Sequence, residues 1–510
     1  MTDYQSPLPS AASTAQPGVA PMGQRVARGA IWTMAASAAR IASAILILPV
    51  LTRLLSPEDF GLMQIAAPFL FFLMVFSDFG MQPALVVADE PSDKLWSTAF
   101  WTGLGAASLL TLILIMAAPG VASFFNEPRA ELILQVLSIT LLLGGAMIVP
   151  AAWLLRAMSF RALAIVEFFA MTCGIVAALA CAVMGWGVWS LVAQQLVMFS
   201  IKAVAYCTMS RAPLKFEFGV AELKSIIGVS WGMINVRVLL FFSGNIDMII
   251  IGRFLGAVVL GYYSIAWRIM AMPVQIFGSG LFQVLLPSLG QIKDDAGRLK
   301  AGLLKTYRII ALFTFPAMAG IAALSVPLTA VLFGEEYAPA AYPMAVLAVH
   351  GALQSLLTVQ GSVFMTLGRV DVMYRWSLIT LVTLCTCLLI GVQWGLQGAA
   401  LGYLVSTLIC APLSFRAMLK LVGAGLADAW HALKIQTLLS AGMGVLVYAL
   451  SLTLPSSLTD LQVLSACIPI GVFIYVSGLY LLDRAAMVEV SKIAQSVISK
   501  GSSPSQREEP

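Results

Sequence analysis

Residues 52–66 read TRLLSPEDFGLMQIA, and residues 252–266 read GRFLGAVVLGYYSIA. The two stretches share identical residues at a constant offset: Arg53/Arg253, Leu55/Leu255, Gly61/Gly261, Ile65/Ile265 and Ala66/Ala266. Each stretch follows the first apolar run of its half, and six runs separate the two. Because an even number of membrane crossings restores the direction of the chain, the pattern predicts two parallel repeats related by an axis normal to the membrane.

The composition is that of a polytopic membrane protein. Of 510 residues, 60% are hydrophobic and only 10% are charged, and the mean hydropathy is +0.94. We find about fourteen apolar runs long enough to span a bilayer of roughly 30 Å. These runs are too long, and alternate too little, for the strands of a closed barrel. The sequence therefore predicts an all-α protein embedded in the lipid bilayer.

The basic residues fix the predicted orientation. Most of the 29 Lys and Arg lie in every second gap between apolar runs, for example Lys293, Arg298, Lys300, Lys305 and Arg308. Such loops face the cytoplasm, so we predict a multi-pass protein of the bacterial cytoplasmic (inner) membrane with both termini in the cytoplasm. The same rule accounts for the net charge of +5, which therefore gives no argument for nucleic-acid binding.

These patterns divide the chain into five parts. The first and last are polar tails, and the other three contain the apolar runs. We predict a disordered cytoplasmic tail, an N-lobe with the first six helices, a C-lobe with the next six, a pair of additional helices, and a second cytoplasmic tail, at 1–24, 25–225, 226–425, 426–484 and 485–510.

The sequence lacks the residue patterns that metal binding, redox chemistry and ATP hydrolysis require. The seven Cys form no C-x-x-C pair and lie in or beside apolar runs, where we interpret them as small apolar fillers. There are only two His, and no G-x-x-x-x-G-K-[ST] motif for ATP. We predict no metal, no cofactor and no enzymatic activity. A membrane polymerase or ligase would in addition usually carry a large outer loop, and the apolar runs leave no room for one.

Four segments in combination resemble the Wzx-type oligosaccharide-lipid flippases of the MATE/MOP superfamily, especially exporters of colanic-acid and other exopolysaccharide repeat units. They are LTRLLSPEDFGLMQ (51–64), SDFGMQPALV (77–86), GWGVWSLVAQQLV (185–197) and NIDMIIIGRFLGAVVLGYYSIAWR (245–268). The resemblance implies a V of two six-helix lobes. It also implies a central cavity lined by predicted helices 1, 2, 7 and 8, and a lateral groove at helices 13 and 14 for a polyprenyl tail.

The resemblance also implies a function. The substrate would be a polyprenyl-diphosphate oligosaccharide, moved from the inner to the outer leaflet by alternating access for exopolysaccharide, O-antigen or capsule assembly. A polysaccharide polymerase and a chain-length regulator would be partners. The alternatives are a multidrug or cation exporter of the same fold and a membrane polysaccharide polymerase or ligase.

Basic residues inside the apolar runs are the candidate substrate-binding residues. Arg40, Arg237 and Arg268 lie in predicted helices 1, 7 and 8. A charge near the bilayer centre costs roughly 2.5–3.5 kcal/mol, so each needs water, a partner or a ligand. Arginine suits a diphosphate because its planar donors stay charged when desolvated. We predict that the three converge on one cavity and bind the diphosphate; structural pairing, such as Arg268 with Asp247, is the alternative.

Other polar and aromatic residues have two interpretations each. Asp78 and Asp247 are candidates for coupling a cation or for balancing the charge of an arginine. Glu167 and Lys202 lie at matching depth in neighbouring predicted helices and are expected to pair. His350 is interpreted as a buried core histidine rather than a proton carrier. Tyr262, Tyr263 and Trp267, which begin predicted helix 8, are candidate sugar contacts.

Overall fold

The computed structural model describes residues 40, 42–43, 45–78, 81–88, 91–291, 295–455 and 457–483, and every regular element in these ranges is helical. In the N-terminal half these are α1 (helical residues 40, 42–43 and 45–52), α2 (Pro57–Asp78), α3 (Met81–Val87), α4 (Asp93–Phe125), α5 (Arg129–Leu137), α6 (Ile139–Arg156), α7 (Phe160–Val183) and α8 (Trp189–Met209). The predicted tails at 1–24 and 485–510 lie outside the described residues.

The C-terminal half continues in the same manner. Its α-helices are α9 (Val220–Gln291), α10 (Ala296–Ala323), α11 (Ser325–Phe333), α12 (Ala341–Leu357), α13 (Gln360–Thr366), α14 (Val370–Gly391), α15 (Gly395–Leu421), α16 (Leu426–Thr453) and α17 (Asp460–Leu482). Two short 3-10 helices, Glu335–Ala340 and Val392–Trp394, connect neighbouring elements. Gly256, with φ of 82°, interrupts α9 and divides it into two helices.

Ten helical stretches in the described residues are long and apolar enough to cross a membrane. One of them, Val370–Leu421, has 52 residues. At 1.5 Å per residue this would be about 78 Å long, more than twice the roughly 30 Å of a bilayer core. Gly395, with φ of +68°, breaks it between α14 and α15. The protein is therefore a multi-pass helical membrane protein, and this longest stretch consists of two helices.

Matching turns recur in the two halves. The residue after Phe125 is Asn126, with φ of 58°, and the residue after Phe333 is Gly334, with φ of 89°. Gly187 and Gly395 each follow a tryptophan, and both also have positive φ. An L-residue other than glycine or asparagine rarely adopts this conformation. The recurrence of such turns extends the repeat that the sequence showed at residues 52–66 and 252–266.

Asp59 connects the start of α2 to the turn before α8. Its side chain is only 8% exposed. One carboxylate oxygen accepts hydrogen bonds from the backbone N–H (3.0 Å) and hydroxyl (2.9 Å) of Ser56, and the other accepts from the backbone N–H of Val188 (2.8 Å). A Cβ at Gly187 would lie 2.9 Å from this second oxygen. The carboxylate therefore fixes two turns that are far apart in sequence.

We expect Asp59→Ala to lower the stability of the fold by about 1–3 kcal/mol, because it leaves the buried N–H of Val188 without an acceptor. The thermal unfolding midpoint in detergent measures the effect. Glu58→Ala is the matched control, since it removes a neighbouring carboxylate whose ion pair with Arg129 is exposed and contributes less than about 1 kcal/mol. Equal midpoints for the two variants would contradict the assigned role of Asp59.

Candidate functional site

A cavity of about 310 Å³ lies in the N-terminal half, enclosed mainly by α1, α2 and α8. Arg40 lines it from α1, and Arg268 lines it from the second part of α9. The other polar side chains on its wall are neutral: Ser43, Gln64, Thr140, Gln194 and Gln195. Among the lining residues that the structure describes, none is acidic. The described wall therefore carries positive charge without an acidic side chain of its own, and we call this site the cationic cavity.

Among the described residues, Arg268 has an aromatic ring near its guanidinium and no carboxylate in an ion pair with it. Its guanidinium carbon lies 6.0 Å from the ring centroid of Phe60, at the limit of a cation–π contact. No ion pair joins Arg268 to Asp247 in the described part of the chain. Asp247 is 1% exposed and accepts a hydrogen bond from the hydroxyl of Tyr263 at 3.0 Å. The alternative pairing of Arg268 with Asp247 is therefore not the arrangement found here.

Two of the predicted site residues have side chains outside the described part of the structure. Arg237 lies within the first part of α9, and Asp78 is the last residue of α2. α2 lines the cationic cavity, whereas the first part of α9, which carries Arg237, contributes none of its described lining residues. Their predicted roles, diphosphate binding for Arg237 and coupling or charge balance for Asp78, stay predictions.

The three candidate sugar contacts lie beside the cationic cavity, and none is among the residues that line it. Tyr263 is fully buried between Asp247 and the stacked ring of Trp267. Trp267 in turn stacks on His350, at 5.9 Å between ring centroids. Tyr262 is half-buried and meets the ring of Tyr337 edge-on. In the described conformation Tyr263 has no face free for a sugar ring.

A second cavity, of about 450 Å³, adjoins the first at Arg40, which lines both. It contains the predicted pair of Glu167 and Lys202, whose carboxylate and ammonium atoms are 2.8 Å apart. The prediction from equal depth in neighbouring helices is thus confirmed. Glu167 neutralises Lys202. Arg40 is the other cation on this wall, and it has no acidic partner among the described residues.

The two halves of the chain meet at one end of the cationic cavity. A Cβ at Gly61 would overlap the carbonyl oxygen of Ala257, and a Cβ at Gly261 would overlap that of Pro57. The two contacts exchange under the sequence repeat, since Pro57 corresponds to Ala257 and Gly61 to Gly261. They therefore form one reciprocal crossing of α2 and α9, a close approach that only a small residue allows.

Hydrogen bonds reinforce this crossing. The hydroxyl of Tyr337 donates to the carbonyl of Leu55 at 2.7 Å, and the guanidinium of Arg53 donates to the carbonyl of Val331 at 3.0 Å. We call the glycine crossing and these two bonds the closed-end contact. It joins the N-terminal and C-terminal halves through backbone groups, so it can form only when the two halves are close together.

We expect Gly61→Leu to prevent the closed-end contact from forming. The larger side chain has no room against the carbonyl of Ala257, so the halves must separate there. Cross-linking of Arg53→Cys to Val331→Cys by a short bismaleimide, in a background without native cysteines, measures the separation, and we expect at least a severalfold lower yield. Gly120→Leu is the control, since nothing lies within 4 Å of a Cβ at that glycine. An unchanged yield in Gly61→Leu would show that the halves do not depend on the glycine crossing to form the closed-end contact, contrary to its assigned role.

An apolar groove lies at the side of the C-terminal half. It has a volume of about 540 Å³ and runs between α10, α11, α16 and α17. The one hydroxyl on its described wall, that of Tyr475, is bonded to the carbonyl of Leu312 at 3.0 Å. Beyond its end, Arg308 and Gln436 donate to the buried carboxylate of Asp483. The groove, which we call the lateral groove, thus offers only apolar surface to an occupant.

Sequence reasoning did not single out the glutamines of the cationic cavity. Gln194 and Gln195 adjoin each other in the mainly apolar α8, and Gln64 lies in α2. Two adjacent amides in a membrane-spanning helix are costly unless they face a polar region. This cost could have identified the two glutamines from the sequence as residues that face a polar region. The structure places them on the wall of the cationic cavity.

A family model described as "Polysaccharide biosynthesis protein" matches residues 50–342, more than half of the chain. The chain belongs to this family. The match includes all four segments on which the resemblance to Wzx-type flippases was based.

Two relatives span most of the chain. The succinoglycan biosynthesis transport protein ExoT of Rhizobium meliloti (strain 1021) is 29% identical over 69% of this chain and 72% of its own length. The lipopolysaccharide biosynthesis protein WzxC of Escherichia coli (strain K12) is 23% identical over 85% of this chain and 89% of its own. The relationship to Wzx-type proteins that the sequence predicted is thereby confirmed.

The fold has a solved counterpart. The lipid II flippase MurJ, in an inward closed conformation, superposes with a TM-score of 0.72 at 15% identity, over 89% of this chain and 100% of MurJ. At this identity the likeness concerns the fold alone. It shows that this arrangement of helices is the one found in MurJ.

Proposed function

We propose that the protein is a flippase that moves a polyprenyl-diphosphate-linked oligosaccharide across the membrane by alternating access. The observation that carries this proposal is the cationic cavity. Arg40 and Arg268, which are far apart in sequence, line one cavity without an acidic residue among its described walls. A charge in the apolar layer is costly, and an anionic ligand supplies the missing counter-charge. A cation exporter would instead need carboxylates at this place.

The chemistry of the head group fits these side chains. A diphosphate presents several oxygen acceptors and at least two negative charges. Each guanidinium donates in a planar fork that binds phosphate oxygens in pairs and stays charged when water is excluded. Arg40 and Arg268, with Arg237 as the third predicted member, would bind the diphosphate. Gln64, Gln194 and Gln195 add neutral amide donors to the same wall.

The architecture we infer has two six-helix lobes, about fourteen membrane crossings and two C-terminal helices. The matched turns at Asn126 and Gly334, and the reciprocal crossing of Gly61 and Gly261, support the parallel repeat. The concentration of Lys and Arg in alternate loops supports cytoplasmic termini in the bacterial inner membrane. With this orientation the closed-end contact lies on the outer side, so the described conformation is closed to the outside.

Transport then requires the closed-end contact to separate. Opening it on the outer side while the other end closes would expose the bound head group to the outer leaflet. Outward movement of negative charge follows an inside-negative potential, at roughly 2.3 kcal/mol per charge per 100 mV. Asp78 and Asp247 are the candidates for cation coupling or charge balance. Removal of the product by a polysaccharide polymerase, with its chain-length regulator as a further partner, would draw the reaction forward.

Removal of either cavity arginine should abolish transport without loss of the protein. In cells that lack the chromosomal gene, we expect Arg40→Ala and Arg268→Ala to accumulate lipid-linked oligosaccharide and to lose surface polysaccharide at least tenfold, because the diphosphate loses a charged partner. Mass spectrometry of the lipid pool measures the accumulation and also identifies the glycan.

Arg211→Ala provides the matched control for these variants. It removes the same charge from an exposed residue in the loop between α8 and α9. Membrane abundance, measured by immunoblot, must be equal in all variants. Normal surface polysaccharide in both cavity variants would eliminate the assigned head-group site, and normal lipid pools in the gene deletion would eliminate the flippase function.

The lateral groove is proposed to hold the polyprenyl tail during transport, because its described wall offers only apolar surface. Gly320 lies on this wall, and a Cβ there meets nothing within 4 Å. Gly320→Trp should therefore fill the groove without displacing a helix, and we expect at least a fivefold loss of surface polysaccharide. Gly442→Trp on α16 is the control, since its Cβ also meets nothing within 4 Å and it is not on the groove wall. Equal export by the two variants would disprove tail binding there.

A further inference from the structure

A cavity of about 350 Å³ in the C-terminal half has a different character from the cationic cavity. It lies among the first part of α9, α12, α13, α14 and α15. Its described wall has no Asp, Glu, Lys or Arg. Hydroxyl and amide side chains dominate it instead, including Gln354, Thr358, Gln360, Ser377, Thr380 and Ser406. We call it the neutral cavity.

Several polar atoms of the neutral cavity are buried without a partner in the described part of the chain. They are Nε2 of His350, the amide nitrogen of Gln360 and the hydroxyl of Ser243. His350 is 2% exposed, and its Nδ1 is already hydrogen-bonded to the hydroxyl of Thr407 at 2.8 Å. Buried polar groups are costly unless something bonds them. Residues of this wall therefore carry hydrogen-bonding groups that no described protein group uses.

Three of the aromatic side chains on this wall differ in what they contact. His350 and Tyr403 pack against Trp267 and each other, with ring centroids 4.6 to 5.9 Å apart. Trp376, by contrast, is half-buried and makes no ring contact or hydrogen bond in the described residues. Its indole face and N–H both remain for a ligand. A large free aromatic face beside neutral hydroxyls is an arrangement that suits a molecule with one apolar face and many hydroxyl groups.

A sugar ring has this combination of surfaces. Its hydroxyls act as both donors and acceptors, like the Ser, Thr and amide groups that face them, and its C–H face packs on an aromatic ring. Three other occupants fit less well. A hard cation such as Ca²⁺ or Mg²⁺ is bound mainly through carboxylate oxygens, which the described wall lacks. A diphosphate requires cations, and an acyl chain would leave the polar atoms unbonded.

The position of the neutral cavity relates it to the head-group site. Trp267 contacts His350 and Tyr403, which line the neutral cavity, and the next residue, Arg268, lines the cationic cavity. Adjacent residues of a helix point about 100° apart, so this segment of α9 packs against the wall of the neutral cavity and lines the cationic cavity. We propose that the neutral cavity binds sugar residues of the transported lipid-linked oligosaccharide, while the cationic cavity binds its diphosphate. This inference rests on the proposed function.

Binding of two kinds of probe to the purified full-length protein tests the inference. One probe is polyprenyl diphosphate, and the others are the same lipid linked to glucose, galactose or N-acetylglucosamine. We expect at least one sugar-bearing probe to bind wild type about tenfold more tightly than the sugar-free lipid, which is the range of one or two net hydrogen bonds. Trp376→Leu and Thr380→Val should each reduce this ratio severalfold and leave the Kd of the sugar-free lipid unchanged.

Thr386→Val provides the matched control on α14, because this exposed threonine bonds only to the carbonyl of Val382 in its own helix. It should leave both Kd values unchanged. Equal binding of all probes to wild type, or a ratio that survives both Trp376→Leu and Thr380→Val, would overturn the sugar site. Arg268→Ala should weaken the binding of all probes by the same factor. If no probe's Kd depends on Arg268, the head-group site of the proposed function is wrong. Failure of the sugar site and failure of the head-group site therefore give different results.

Discussion

A guanidinium inside the apolar layer of a membrane is stable only with water, a counter-ion or a ligand, and this constraint organises the N-terminal half. Each such charge costs roughly 2.5–3.5 kcal/mol at the bilayer centre. Lys202 meets the requirement with Glu167. Arg40 and Arg268 instead share one cavity with neutral amides and hydroxyls. These two arginines have no acidic partner among the described residues, and the phosphates of the proposed substrate would supply the counter-charge.

Three sites of different chemistry follow from the arrangement of the helices. The cationic cavity offers guanidinium groups, the neutral cavity offers hydroxyls, amides and a free indole, and the lateral groove offers apolar side chains. A lipid-linked oligosaccharide has three parts with the complementary chemistry: a diphosphate, a glycan and a polyprenyl tail. The closed-end contact joins the two halves that carry these sites. Its opening would therefore move the sites for all three parts of the substrate together.

Much of the fold could be predicted from the sequence because membrane spans and their repeat are local patterns. Apolar length predicted the helices, and equal depth predicted the pair of Glu167 and Lys202. The rotation of one helix against its neighbours is not a local property. Tyr262 and Tyr263 are therefore equivalent in the sequence, whereas in the structure Tyr263 is buried against Asp247 and Tyr262 is not. The neutral cavity was missed because its walls are ordinary Ser, Thr and Gln scattered over several helices, with no charge to attract notice.

The most direct test of the head-group site is an experimental structure of the protein in a lipid nanodisc with polyprenyl diphosphate bound. We predict density for the two phosphates between the guanidinium groups of Arg40 and Arg268, within hydrogen-bonding distance of both. Density for the phosphates elsewhere in the protein, with the cationic cavity occupied by water or anions of the buffer, would contradict the account.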